Sequence, residues 1–154
     1  DTLEPLVTGG FGRQDPLAFR LAPLDWSATA RRFETGSPPV PNAYAAVAAL
    51  DLLQAVGVDA AARRIAHLVD RFVTGARDQG FQVATPSDPE RRGALVVLRS
   101  SDAPALVERL AARGIIASAR GTGLRVSFHA YNDDGDVDAV LAALDTERAL
   151  LVGV

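Results

Sequence analysis

Apolar positions recur along this chain with three different rhythms. From Asn42 through Tyr44, Val47, Leu50, Leu52, Leu53 and Val56 the sequence is apolar nearly all round, broken only by Asp51 and Gln54. That predicts a long helix over 42–57, buried on more than one side, with Asn42 as N-cap after Pro41 and Gly57 as its stop. In a chain of 154 residues such a helix asks for a missing neighbour or a dimer partner. Residues 59–78 instead carry Ile65, Leu68, Val69, Phe72 and Val73 at helical spacing. Arg63, Arg64, Asp70, Arg71 and Arg77 turn outward, Asp59 is the candidate N-cap and Gly80 the terminator. His67 lies beside the apolar stripe as a boundary residue, not a ligand.

Beyond residue 80 the period shortens. Phe81-Gln82-Val83-Ala84 alternates like a short strand, and Ala94-Leu95-Val96-Val97-Leu98 is apolar throughout, as a strand buried on both faces would be. Ser101 or Asp102 caps a helix with Pro104 in its first turn, Leu106, Val107 and Leu110 on its inner face, and Gly114 at its end. Ile115-Ile116-Ala117-Ser118 predicts a third strand, Arg120-Gly121-Thr122-Gly123 a tight turn, and Leu124–Phe128 a fourth strand paired as a hairpin. The acidic run Asn132–Asp136 suits a helix N-terminus, followed by Val137, Val140, Leu141 and Leu144 as the last helical stripe. The expectation is an α/β (α+β) fold, with a small mixed or antiparallel sheet of about four strands and helices on one face. The domain reading is an irregular linker over 1–41, the long helix over 42–57, a small α/β domain over 58–148 and a tail over 149–154.

Residues 1–41 show no sustained periodicity. A glycine-rich loop, Thr8-Gly9-Gly10-Phe11-Gly12, lacks the Gly-Lys-Ser/Thr ending and following helix of a nucleotide loop. Trp26, with Phe19 and Leu21, is expected to cover one end of the core. So long an irregular stretch is uncommon in an autonomous domain and reads as a segment built to lie against something else.

Composition narrows the function. Hydrophobic residues at 48% and charged residues at 23% describe an ordinary globular protein. All 16 basic residues are arginine, scattered and not interleaved with aromatics, and the formal net charge is −3. A nucleic-acid surface is therefore not expected. No apolar run approaches the ~20 residues that span a membrane, and no membrane association is expected. The absence of a signal-peptide pattern points to the cytoplasm. There is no cysteine and no lysine, which leaves no thiolate metal site, cysteine nucleophile or Schiff-base amine. His67 and His129 are isolated and do not make a metal site. The chain also contains no methionine, which suggests a piece of something longer.

Two places carry candidate chemistry. In Arg32-Phe33-Glu34-Thr35-Gly36-Ser37-Pro38-Pro39 the N–H groups of Thr35, Gly36 and Ser37 and the Ser37 hydroxyl could converge on an anion. Gly36 has access to backbone angles closed to other residues, and the prolines stiffen the exit. A plain surface turn fits the same letters. Arg125 sits mid-strand, so its side chain and that of Ser127 point away from the face that holds Val126. A guanidinium there binds a carboxylate through two parallel bonds, or else it is an edge-strand arginine facing solvent or paired with Asp133 or Asp134. Those two acids are better explained as a helix cap than as an acid/base pair.

Taken in order, these segments resemble the C-terminal part of class V aminotransferase-type pyridoxal-phosphate enzymes. Pro5-Leu6-Val7-Thr8-Gly9-Gly10 is similar to the loop beyond that family's Schiff-base lysine. Arg32-Phe33-Glu34-Thr35-Gly36-Ser37-Pro38 is similar to its Arg-Phe-Glu-x-Gly-Thr-Pro. Leu124-Arg125-Val126-Ser127-Phe128-His129-Ala130-Tyr131-Asn132 is similar to its Arg-x-Ser-x-x-x-Tyr-Asn. The resemblance covers essentially the whole chain and implies the small C-terminal domain of a fold-type-I enzyme.

It further implies that Thr35, Gly36 and Ser37 reach across a homodimer interface to the phosphate of pyridoxal 5'-phosphate in the other subunit. Arg125 then binds the substrate α-carboxylate, while Tyr131 and Asn132 are structural. The lysine and the ring-binding groups belong to a large domain upstream, so this chain alone is expected to be inactive. A cysteine desulfurase needs a thiol in the loop before the carboxylate-binding arginine, and that place is the short turn Arg120–Gly123. Transaminase, epimerase or lyase chemistry on an amino acid remains open. The kynureninase branch is weakened by the pattern Glu34-Thr35-Gly36-Ser37. A stand-alone α/β module that binds a small carboxylate through Arg125, or a decayed paralogue kept for dimer assembly, accounts for the same residues.

Overall fold

In the computed structural model, which describes residues 3–20 and 22–153, the chain falls into two compact units, Asp1–Leu52 and Leu53–Val154. The second is built on α2 (Val58–Asp78), whose stripe Leu68, Val69, Phe72, Val73 and Ala76 is buried. Gly57 occupies the N-cap position, so Asp59 lies within the first turn and is not the cap. After Gln79 the chain closes with Gly80 N–H to Arg77 O (2.8 Å) and Phe81 N–H to Ala76 O (2.9 Å), the two bonds that satisfy the last carbonyls of a helix.

The sheet has three strands, β1 (Leu95–Arg99), β2 (Ser118–Arg120) and β3 (Gly123–Ser127), all antiparallel in the order β1-β3-β2. The hairpin at 120–123 forms as expected, and β3 is the central strand. The sheet has one strand fewer than expected. Residues 81–84 reach β1 only through a bridge between Val83 and Leu98. There the Thr85 hydroxyl takes the Val97 N–H at 2.8 Å, and Pro86 follows with no donor. Nor do Ile115–Ala117 form a strand. Gly114, at φ 77, ends α3 (Ala103–Ala111) in the left-handed region that glycine tolerates, and the Ile115 N–H is used on Leu110 O at 3.0 Å. Pairing starts only at Ser118.

One face of the sheet carries Val96, Leu98, Leu124 and Val126, which join α2, α3 and α4 (Asp134–Thr146) in a single buried cluster with Phe81, Phe128 and Leu144. Phe72 and Phe128 meet edge-on with ring centroids 5.4 Å apart. Asp102 caps α3 through the Ala105 N–H at 3.1 Å. Asp133 and Asp136 form a reciprocal capping box on α4. The tail is pinned through Gly153: Leu151 bridges Ser100 and Gly153 bridges Phe81. Glu147, only 8% exposed, is held by Arg109 at 2.7 Å and Arg113 at 2.9 Å.

Helix α1 (Val40–Val56) is present, but none of its residues is buried in this chain. Tyr44, Val47, Leu50, Leu52, Leu53 and Val56 are all exposed, so the expected burial on more than one side is not met by the chain itself. The helix also starts two residues early: Pro39 O accepts from the Asn42 and Ala43 N–H groups, which puts Asn42 inside the first turn and not at the cap. In the first unit, short 3-10 turns at Gly10–Gly12, Pro16–Ala18 and Ala30–Phe33 are tied by hydrogen bonds. Phe19 is 83% exposed and covers no core; Trp26 bridges Arg13 instead. Leu21, the third member of that expected cluster, lies outside the described residues. Among the described residues no single helix is long and apolar enough to cross a membrane.

Candidate functional site

Within the first unit the three phosphate-loop candidates lie together at one bend. Arg32 holds the approach to it, donating to Thr29 O at 3.2 Å and Ala28 O at 2.8 Å. The glycine-rich segment supplies the seat. Gly9 lies so close to the Thr35 backbone that a Cβ has no room, and a Cβ on Gly12 would meet Arg32 O at 2.8 Å. The glycines at 9 and 12 thus shape the loop and are not themselves a nucleotide site.

Thr35, Gly36 and Ser37 are exposed. Among the described residues their N–H groups have no hydrogen-bond partner, whereas the Glu34 and Val40 N–H groups bond to Arg31 O and Pro38 O. Gly36 differs from expectation. It is not among the glycines with positive φ, and a Cβ built on it meets nothing within 4 Å. The chain's own backbone does not require glycine there. An exposed bend with three free donors fits a phosphate, and a missing side chain lets such an anion approach the backbone closely.

Arg125 belongs to the second unit. It is half-buried on the central strand, with Val97 opposite it on β1 and Ser118 opposite it on β2. Its Nε donates to the Ser118 hydroxyl at 2.9 Å. Among the described residues no carboxylate lies within 4.0 Å of its guanidinium. The readings of an edge-strand arginine, or of one paired to Asp133 or Asp134, are therefore set aside. Asp133 caps α4, while Asp134 pairs with Arg64 at 3.0 Å and His67 at 3.2 Å. The hydrogen bond from His67, followed by Arg64, holds the Asp134 carboxyl below its ordinary value. Asn132 accepts from the His129 N–H and donates to Asp136, both at 2.9 Å. Tyr131 stacks on His129 and stays 83% exposed. No group of three or more metal-ligating side chains occurs among the described residues.

Residues 58–144, more than half of the chain, match the kynureninase C-terminal domain family. The chain belongs to that family. This kynureninase C-terminal-type chain is 30% identical over 132 residues to an uncharacterized aminotransferase, YcbU, of Bacillus subtilis (strain 168), covering 86% of the chain and 34% of the relative. It is also 30% identical over 152 residues to the kynureninase of Deinococcus radiodurans, covering 94% of the chain and 36% of the relative. The apo structure of a cysteine desulfurase from Thermococcus onnurineus NA1 superposes with a TM-score of 0.83 at 20% identity, over 97% of this chain and 41% of that one. The chain spans about a third of the length of the curated relatives it matches.

Membership places the chain among class V aminotransferase-like C-terminal regions, with the small-domain fold of fold-type-I enzymes. It runs against the weakening of the kynureninase branch. The family match lies over 58–144, and the kynureninase relative matches over 94% of the chain, so the pattern at Glu34–Ser37 does not separate the chain from that branch. The buried Glu147 and its two arginines escaped sequence reading, because the three residues are too far apart to leave a local signal.

Proposed function

We propose that this chain serves as the C-terminal part of a homodimeric, cytoplasmic pyridoxal-phosphate enzyme that acts on an amino acid by transamination, epimerisation or lysis. Cysteine desulfuration is left out, because the chain has no thiol and its turn before Arg125 is two residues long. The observation that carries the reading is Arg125. A half-buried guanidinium with no carboxylate partner among the described residues keeps its terminal nitrogens available to an anion, and its fork suits the α-carboxylate of an amino acid. Ser118 fixes its orientation by occupying Nε.

Gly36 and Ser37, with Thr35, would bind the cofactor phosphate of the partner subunit through their N–H groups and the Ser37 hydroxyl. When bound, pyridoxal phosphate supplies an electron sink for bond cleavage at the substrate. This chain's residues bind and orient; with no lysine, the amine that holds the cofactor has to come from elsewhere.

The test is carried out on the enzyme assembled with its large domain. Arg125→Gln should raise the amino-acid KM by about 10–100-fold, the worth of a charge-assisted pair, while cofactor binding stays unchanged. Ser37→Ala should weaken cofactor binding and leave the amino-acid KM unaltered. An unchanged KM in the Arg125 variant would falsify the carboxylate role. Carboxylate binding by a protein that never takes up the cofactor would favour the binding-module reading instead.

A further inference from the structure

The open face of the sheet carries more positive charge than one α-carboxylate needs. Arg99 on β1 and Arg120 on β2 both lie opposite Gly123 of β3, so they flank it at the same level. Arg125 lies two residues along β3 and, by strand alternation, on the same face. Sheet geometry puts Arg125 roughly 7–8 Å from each of the other two along the diagonals. Arg99 and Arg120, two strand spacings apart, are separated by about 10 Å. Among the described residues none of the three has a carboxylate within 4.0 Å. Arg99 reaches towards the hairpin and donates to the Thr122 hydroxyl at 3.4 Å.

The floor between them is bare. Gly123 has no side chain, and a Cβ there would meet Val97 Cγ1 at 2.5 Å and Leu98 O at 3.1 Å. An open depression of about 380 Å³ results, lined by Thr85, Pro86, Val97, Arg99, Arg120 and Thr122 among others. That is the size range of small-ligand sites. Elsewhere in the second unit, Arg64, Arg71, Arg92, Arg109, Arg113 and Arg148 are each matched to a carboxylate, while among the described residues Arg63, Arg77 and Arg91 are not and have no second arginine across a sheet from them. Two unmatched guanidinium groups, Arg99 and Arg120, line the hollow, and Arg125 lies beside it on the same face; like charges so placed repel each other, and an anion with more than one negative group relieves that repulsion.

We infer that the Arg99–Arg120 hollow binds the second, distal carboxylate of an acidic amino-acid substrate whose first carboxylate is held at Arg125. This rests on the proposed role of Arg125 and specifies the class of amino acid. A dicarboxylate bridges the diagonal between Arg125 and either neighbour, whereas a neutral side chain leaves two cations uncompensated. Arg99 and Arg120 are thus specificity residues: they set which side chain is accepted, and Arg125 accepts the common carboxylate.

The experiment measures calorimetric binding of two probes of equal carbon count, glutarate with two carboxylates and pentanoate with one, to the enzyme assembled with its large domain at fixed ionic strength. Glutarate should bind at least about tenfold more tightly, the effect of one added charge-assisted contact. Arg99→Gln and Arg120→Gln should each remove most of that excess and leave pentanoate binding unchanged. Both side chains are exposed, and unfolding curves of the variants verify that they fold. Equal affinity for the two probes, or an excess that survives both substitutions, overturns the inference. The reading of Arg125 fails separately: pentanoate binding untouched by Arg125→Gln removes that role, while the glutarate excess still reports on Arg99 and Arg120.

Discussion

Ser118 stands directly across the β2–β3 ladder from Arg125 and accepts a hydrogen bond from its Nε at 2.9 Å. This contact restrains the roll of the guanidinium plane and leaves its two terminal nitrogens without a hydrogen-bond partner among the described residues. Removing the hydroxyl leaves the charge in place but frees its orientation. Ser118→Ala should therefore weaken carboxylate binding about 3–10-fold, the scale of one hydrogen bond. Arg125→Gln should cost more. Calorimetry with a monocarboxylate measures both, and a Ser118 variant that binds as well as the parent would remove the positioning role.

Gly36 offers a test in which stability and ligand affinity part company. Its backbone does not need glycine and a methyl group meets nothing in the chain. Gly36→Ala should leave the urea midpoint unchanged or raise stability by up to ~1 kcal/mol, through a less flexible unfolded chain. In the assembled enzyme the same methyl should lower affinity for the cofactor phosphate, read by equilibrium titration. A loss of stability without a loss of affinity would make the glycine a folding residue.

Glu147 joins the end of α4 to α3 through Arg109 and Arg113. Its side chain is 10% exposed and theirs are 58% and 43% exposed, so solvent screens much of the attraction. Glu147→Ala should cost about 1–2 kcal/mol by urea unfolding, less than a fully buried pair would. In a double-mutant cycle with Arg109→Ala the losses should not add. Additive losses would show that Glu147 and Arg109 act independently.

Asp134 links α4 to α2 through His67 and Arg64, and its carboxyl titrates below the ordinary value of 3.8, chiefly because of the His67 hydrogen bond. A lowered folded-state pKa contributes stability that is present above the unfolded-state value and lost as the pH falls through the folded one. The stability advantage over Asp134→Asn should thus be present at pH 5 and shrink as the pH falls below the unfolded-state value towards the lowered folded one. Thermal unfolding of both proteins across that range decides it. A gap that does not change across the acid range would assign the effect to packing.

What the sequence made legible was whatever repeats locally. The α2 stripe and the α4 stripe at Val137, Val140 and Leu144 could be read from spacing alone, whereas the caps could be narrowed only to Ser101 or Asp102 and to the acidic run at 132–136, from which the structure selects Asp102 and Asp133. Ile115-Ile116-Ala117 misled because an apolar run looks the same in a strand and in a chain leaving a helix. Only the bond from the Ile115 N–H to Leu110 O, set by Gly114, separates the two. Arg125 could be placed on the correct face from alternation, but its central position depends on strand order, which no local pattern encodes. Gly36 was singled out for conformational freedom, yet what the structure offers there is open space. The Arg99–Arg120 pair was invisible because the two residues meet only through register.

At position 123, tolerance to change runs out in both directions. A larger side chain would wedge β1 away from β3 and fill the hollow at once, and no residue is smaller than glycine. Diversification of what this face accepts has to proceed around its rim, at 99, 120 and 122, with the floor held constant. Directed libraries that randomise those three positions should yield folded proteins with altered anion preference, and libraries at 123 should yield mostly unfolded ones.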